Sequence, residues 1–167
     1  GGGGERAEVG GGQGEGAVKK LGWGGAAMGG SVEGKELCDR KFDPFWAKAE
    51  ELGVMLFMQP QNAPGTTNNP RLMGKGGLGN VIGNPLETTV FLSHLIFEGT
   101  LDRFPGLKIC VAHAGGYLAS YSGRSDAGCG LAGGTGADCK ALKKKPRESF
   151  QSAWYVDTDG CHAARPP

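Results

Sequence analysis

Two nitrogen-bearing side chains stand where apolar runs stop. VMLFMQPQ, Val54 to Gln61, is apolar for five residues and ends on Gln59-Pro60, while KICVA ends on His113. An imidazole in such a place moves a proton near neutral pH or binds a metal. A glutamine amide oxygen binds transition metals more weakly than imidazole nitrogen. His113 is followed by Ala114-Gly115-Gly116, a run that lets backbone come close to a ligand. A satisfied core histidine is the competing reading of His113, and its place at a strand end favours function. His94, mid-helix among apolar residues, reads as a structural or interfacial histidine. His162, in CHAARPP, has no context that assigns it a role.

Other motifs carry less. GKGGLG, Gly74 to Gly79, fits GxGxxG, but about fifteen residues separate it from the preceding strand. The dinucleotide fingerprint needs those glycines in the tight turn straight after the strand, so the match reads as chance in a mobile loop. No GxSxG elbow is present and no serine ends a strand, which argues against a hydrolytic triad. The five cysteines (38, 110, 129, 139, 161) are odd in number and lack a CxxC pair. They indicate neither a disulfide framework nor a zinc ribbon. Cys110 reads as a small buried apolar residue, and a reducing cytoplasm fits the set best. Metal chemistry needs several converging ligands, and the strand ends offer one good candidate, His113, and one poor one, Gln59.

These residues need elements to hold them. LGWGGAAMGG, 21–30, predicts a short buried strand. Asp43-Pro44 predicts a helix with Asp43 as its N-cap, an apolar face of Phe45, Trp46, Ala49 and Leu52, and a stop at Gly53. VMLFM follows as a strand, then a polar loop from Gln59 to Gly83. Asn84-Pro85-Leu86-Glu87 predicts a second helix start, with an Asn cap and Glu at the third position. Apolar residues cover most of that helix, which needs burial on two sides and hints at a subunit contact. LKICVA, a helix near 117–125, a helix from Pro146 and the strand SAWYVDT complete the order. Continuous apolar strands alternating with helices predict an α/β fold with a parallel sheet. In such folds the chemistry gathers at the C-terminal ends of the strands.

Composition sets outer limits. The 167 residues suffice for one core, as one domain or a piece of one. The 33 glycines concentrate in 1–16 and 127–138, the first expected to be a disordered tail and the second a surface loop. A formal net charge of +1 gives no global field to recruit nucleic acid or an anionic membrane. The lysines at 143–145 read as a solvated turn before a helix. No secretory leader pattern opens the chain, and VFLSHLIF is far short of a membrane span.

Taken together, DPFWAKAEELGVMLFMQPQ, GNPLETTVFLSHLIFEGTLDRFPGLKICVAHAGGYLASYSGRSD, KKKPRESF and WYVDT resemble the amidohydrolase-related family. The branch is that of aminocarboxymuconate-semialdehyde decarboxylase. The resemblance covers 17–159 and implies a partial TIM-type (β/α)8 barrel, about strands 4 to 7, with tails at 1–16 and 160–167. A whole barrel takes ~250 residues, so the chain is expected to be a fragment or degenerate copy.

The family's implied site has a divalent metal, usually zinc, at the C-terminal strand ends. Gln59, before Pro60, stands where the family has a ligand histidine. His113 matches the histidine beside the metal-bound water and is itself a possible ligand. Arg124, eleven residues on, matches an arginine that grips the substrate carboxylate and reaches a neighbouring subunit's site. The family's His-x-His is not matched, and its eighth-strand aspartate is expected beyond the end of this chain. The implied reaction is decarboxylation of an unsaturated or aromatic carboxylic acid, by a homodimer. Hydrolysis on the same scaffold, or a non-catalytic half-barrel that pairs with another chain, are the alternatives.

Overall fold

The computed structural model describes residues 24–129 and 139–157; the tails expected at 1–16 and 160–167 lie outside them. Its main sheet has four strands, β1 (Gly25–Met28), β4 (Met55–Met58), β5 (Lys108–Val111) and β6 (Trp154–Val156). All neighbours are parallel, in register Ala27–Phe57–Cys110–Tyr155. Between β1 and β4 a small antiparallel ribbon, β2 (Ser31–Val32) with β3 (Lys35–Glu36), stands apart from this sheet. The main strands lie side by side in chain order. A doubly wound sheet reverses its order at a switch point; an unbroken sequential order is that of an arc cut from a (β/α) barrel. The expected parallel α/β fold is what the structure has.

Strand alternation sorts the two faces of the arc. Leu56, Met58, Ile109 and Val111 are buried and join Trp46, Phe91, Leu92, Leu95 and Ile96 in one core. The helices on that face are α1 (Asp43–Leu52) and α2 (Asn84–Phe97). α1 presents Trp46 and Ala49 at helical spacing, and the Trp46 indole N–H donates to the Leu37 carbonyl at 2.8 Å. It stops at Gly53, whose φ of 63° is left-handed, as a C-terminal cap requires. α3 (Thr100–Arg103) is a single turn before β5. Its Arg103 donates to the Asp43 carboxylate at 3.0 Å and fastens the turn to the head of α1.

Several local expectations change. Asp43 does not cap α1. Asp39 does the capping one turn earlier, accepting the Lys41 N–H at 3.0 Å ahead of a 3-10 turn, Arg40–Phe42. Asp43 is thereby left free for Arg103. Asn84 is likewise no cap, because a π-helical turn, Gly79–Gly83, runs directly into α2. α4 (Leu118–Cys129) extends past the expected end near 125 and brings Cys129 to Cys139. The two form a disulfide with Cα atoms 5.4 Å apart, against the expectation of no disulfides. The odd count and absent CxxC did not reveal a pair whose partner returns on a separate turn. α5 (Pro146–Ala153) then begins as expected, its Glu148 accepting the Lys145 N–H at 2.9 Å.

Among the described residues no helix covers the opposite face of the arc. Along its middle layer Ala27 and Tyr155 are exposed, and Phe57 and Cys110 half-buried, so Cys110 is not the fully buried residue expected. Cys110 lies on this face because Ile109 and Val111 take the helix side.

Candidate functional site

The C-terminal ends of β4, β5 and β6 carry Gln59, His113 and Asp157. Because Met58 pairs with Val111, Gln59 lies beside Ala112, one residue before His113. The strand ladder continues into these ends: Gln59 N–H donates to Met28 O at 3.0 Å, Ala112 N–H to Met58 O at 3.1 Å, and Asp157 N–H to Val111 O at 3.2 Å. Parallel pairing alone therefore brings two of the expected residues, Gln59 and His113, to one edge of the sheet.

His113 is held by an unusual backbone. Four successive residues have positive φ: His113 (58°), Ala114 (51°), Gly115 (80°) and Gly116 (65°). Two of them carry a Cβ, and such conformations persist only where surroundings impose them. The Asp157 carboxylate accepts the Ala114 N–H at 3.1 Å, and the Thr88 hydroxyl lies 3.4 Å from His113 Nδ1. The two glycines serve protein rather than ligand. A Cβ on Gly115 would meet the Phe150 ring at 3.3 Å, and one on Gly116 would run into Pro85 O and stand 2.5 Å from Thr89 Oγ1. The expectation that they admit a ligand gives way to a packing cause: the chain after β5 presses against α2 and α5.

Glu87 is the polar feature that sequence reading missed. It was expected to close a helix cap, yet it is 3% exposed and reaches out to the segment after β4. Oε1 accepts the Gln61 N–H at 2.7 Å, and Oε2 the Ala63 N–H at 2.8 Å. The Thr66 and Thr67 hydroxyls both lie 3.1 Å from Oε2. Each hydroxyl has one proton and a second acceptor nearby, Ala63 O for Thr66 and Asn84 Oδ1 for Thr67. The two backbone amides are therefore the firm donors. Two neighbours on α2 serve the other loop, Thr88 at the His113 ring and Thr89 accepting the Tyr117 N–H at 2.8 Å. A helix-start reading explains a Glu at that position so well that it hid this second use. Asp157 carried a readable signal, a polar residue ending an apolar strand, as Gln59 and His113 do.

Arg124 lies on α4 and is exposed. The structure gives it no hydrogen bond or ion pair among the described residues and does not join it to the strand-end cluster. Cys110, near that cluster, is no ready nucleophile: burial, and then the Asp157 carboxylate, push its thiol pKa up. Among the described residues no group of three or more His, Cys, Asp or Glu side chains converges as a metal ion requires. The donors present among the described residues therefore do not by themselves fit a metal. No helix among the described residues is long and apolar enough to cross a membrane.

Against known proteins, the profile of one family, described as amidohydrolase, matches residues 13–161. A curated relative, the 2-amino-3-carboxymuconate-6-semialdehyde decarboxylase of Dictyostelium discoideum, is 33% identical over 111 residues, covering 66% of this chain and 30% of the relative. Among solved structures, the 5-carboxyvanillate decarboxylase of Novosphingobium aromaticivorans, complexed with manganese and 4-hydroxy-3-methoxy-5-nitrobenzoic acid, superposes with a TM-score of 0.78 at 26% identity. The match covers 92% of this chain and 44% of that one. A 2,6-dihydroxybenzoate decarboxylase complexed with 2,6-dihydroxybenzoate gives 0.73 at 22% identity, with 91% and 48% covered. The chain thus spans about a third of the curated relative and under half of the solved ones. Its sheet is an arc of their TIM-type barrel.

Proposed function

Because the chain belongs to the amidohydrolase family, we propose that it forms part of a decarboxylase acting on an aromatic or unsaturated carboxylic acid. The observation that carries this reading is the placement of His113 at a C-terminal strand end, beside Gln59, on a backbone held by Asp157, Gly115 and Gly116. An imidazole in that place holds or moves a proton at the reacting end of the sheet. Arg124, exposed and unpaired among the described residues, suits a carboxylate that arrives with another subunit. Its planar fork gives two parallel hydrogen bonds, which lysine does not. That pairing belongs to a homodimer.

Gln59 is read as a degenerate ligand position and His113 as the retained strand-end group. A divalent metal, manganese as in the solved relative or zinc, is assigned to the complete protein rather than to this arc. The donors among the described residues do not make a metal site. The arc alone is read as inactive, and the same scaffold leaves hydrolysis as the alternative chemistry.

The test is CO2 release from 2,6-dihydroxybenzoate and related acids, with Mn2+ present, by the protein that carries this chain. His113→Ala is expected to lower the rate by about a hundred- to ten-thousand-fold. An unchanged rate in the variant, or lactone hydrolysis without CO2, would overturn the reading.

A further inference from the structure

The polypeptide around position 59 is fixed from two sides. Toward the strand, Gln59 N–H is tied to Met28 O at 3.0 Å. Two residues later, Gln61 N–H is tied to the buried Glu87 carboxylate at 2.7 Å, and Ala63 N–H follows at 2.8 Å. Between these anchors lies Pro60, whose ring fixes φ. Little freedom is left for the direction in which the residue at 59 leaves the sheet.

A buried carboxylate is expensive unless its oxygens are satisfied. Glu87 stands over the ends of two strands: a Cβ on Gly30, just after β1, would meet its Cγ at 3.6 Å. Among the described residues no cation pairs with it. Its hydrogen-bond donors come from the segment 61–67, with Asn84 and Ala63 carbonyl oxygens competing only for the hydroxyl protons. A charged acceptor whose firm bonds all run to one loop orders that loop; bonds of this kind are shorter and stronger than neutral ones.

We propose that Glu87 is a positioning residue, which clamps the segment after β4 and so sets the orientation of residue 59 at the candidate site. This rests on the reading of position 59 as part of that site. The carboxylate offers two acceptors to two amides, and a glutamine offers only one. Glu87→Gln therefore keeps the shape but must abandon either Gln61 N–H or Ala63 N–H, whichever way its amide turns. Glu87→Ala abandons both.

Amide hydrogen exchange of the chain, read residue by residue, tests this without metal or substrate. In the unaltered chain the Gln61 and Ala63 amides are expected to exchange far more slowly than that of exposed Asn62. In Glu87→Gln one of the two should speed up by about tenfold or more, the loss expected for one hydrogen bond to a charged group. The Ala112 and Asp157 amides of the sheet should keep their rates. Fast exchange of both loop amides in the unaltered chain overturns the proposal, and needs no variant to fold. So does an unchanged pair in Glu87→Gln, or a parallel rise at Ala112 and Asp157, the mark of a merely stabilising residue. Failure to decarboxylate 2,6-dihydroxybenzoate would strike the proposed function and leave this result standing.

Discussion

At the scale of single residues, the turn after β5 is where conformation and placement meet. It carries four successive left-handed residues and places the His113 ring 3.4 Å from the Thr88 hydroxyl, and Gly116 makes the turn possible by lying against α2. A methyl group there meets Pro85 O and Thr89 Oγ1, and the φ of 65° is itself unfavourable for a side chain. Gly116→Ala is expected to destabilise the protein by about 1–3 kcal/mol, through strain of the kind stored in such backbone. Urea unfolding, with a lower midpoint and unchanged slope, would check it. His113→Ala should spare that turn, because its bonds run through Asp157 and Thr89 rather than through the imidazole. Loss of rate with retained stability would thus separate the two residues.

At the scale of elements, α1 and α2 do different work. α1 is anchored by Trp46, which is wholly buried and whose indole N–H reaches the Leu37 carbonyl. Trp46→Ala removes a large ring from a packed core and leaves that carbonyl unpaired. A loss of about 3–5 kcal/mol is expected, measurable as thermal destabilisation. α2 supports the sheet with Phe91, Leu92, Leu95 and Ile96, and its first turns also govern both strand-end loops through Glu87, Thr88 and Thr89. Helix existence and facing were legible in the sequence, because apolar spacing is a local property. The caps were not. Asp43 and Asn84 have the right chemistry, yet preceding 3-10 and π turns continue into the helices and release both side chains for tertiary bonds.

At the scale of the whole molecule, the described residues cover the four-stranded arc with helices on one face, while parallel sheets are ordinarily buried on both. β1 and β6 are edges among the described strands, and Tyr155, at 56% exposed, lies on the uncovered face. Unpaired edges and exposed apolar side chains template association. The isolated chain is therefore expected to self-associate with rising concentration, and Tyr155→Lys to weaken that association. Sedimentation at several concentrations would show it; a monomer throughout would mean that the face is covered by other means.

The alternation of strands and helices, the parallel sheet and the placing of Gln59 and His113 at strand ends were legible in the chain of residues. Those follow from hydrophobic periodicity and strand polarity, which are written residue by residue. Arg124 was singled out only by the family resemblance, and the structure leaves it apart from the cluster. Tertiary structure alone decided that Glu87 is a buried loop clamp, that Asp157 holds the turn carrying His113, and that Cys129 meets Cys139. The two carboxylates join segments 24 to 43 residues apart, while the cysteines lie ten apart, and a carboxylate's partner is fixed by which backbone amides folding leaves within its reach.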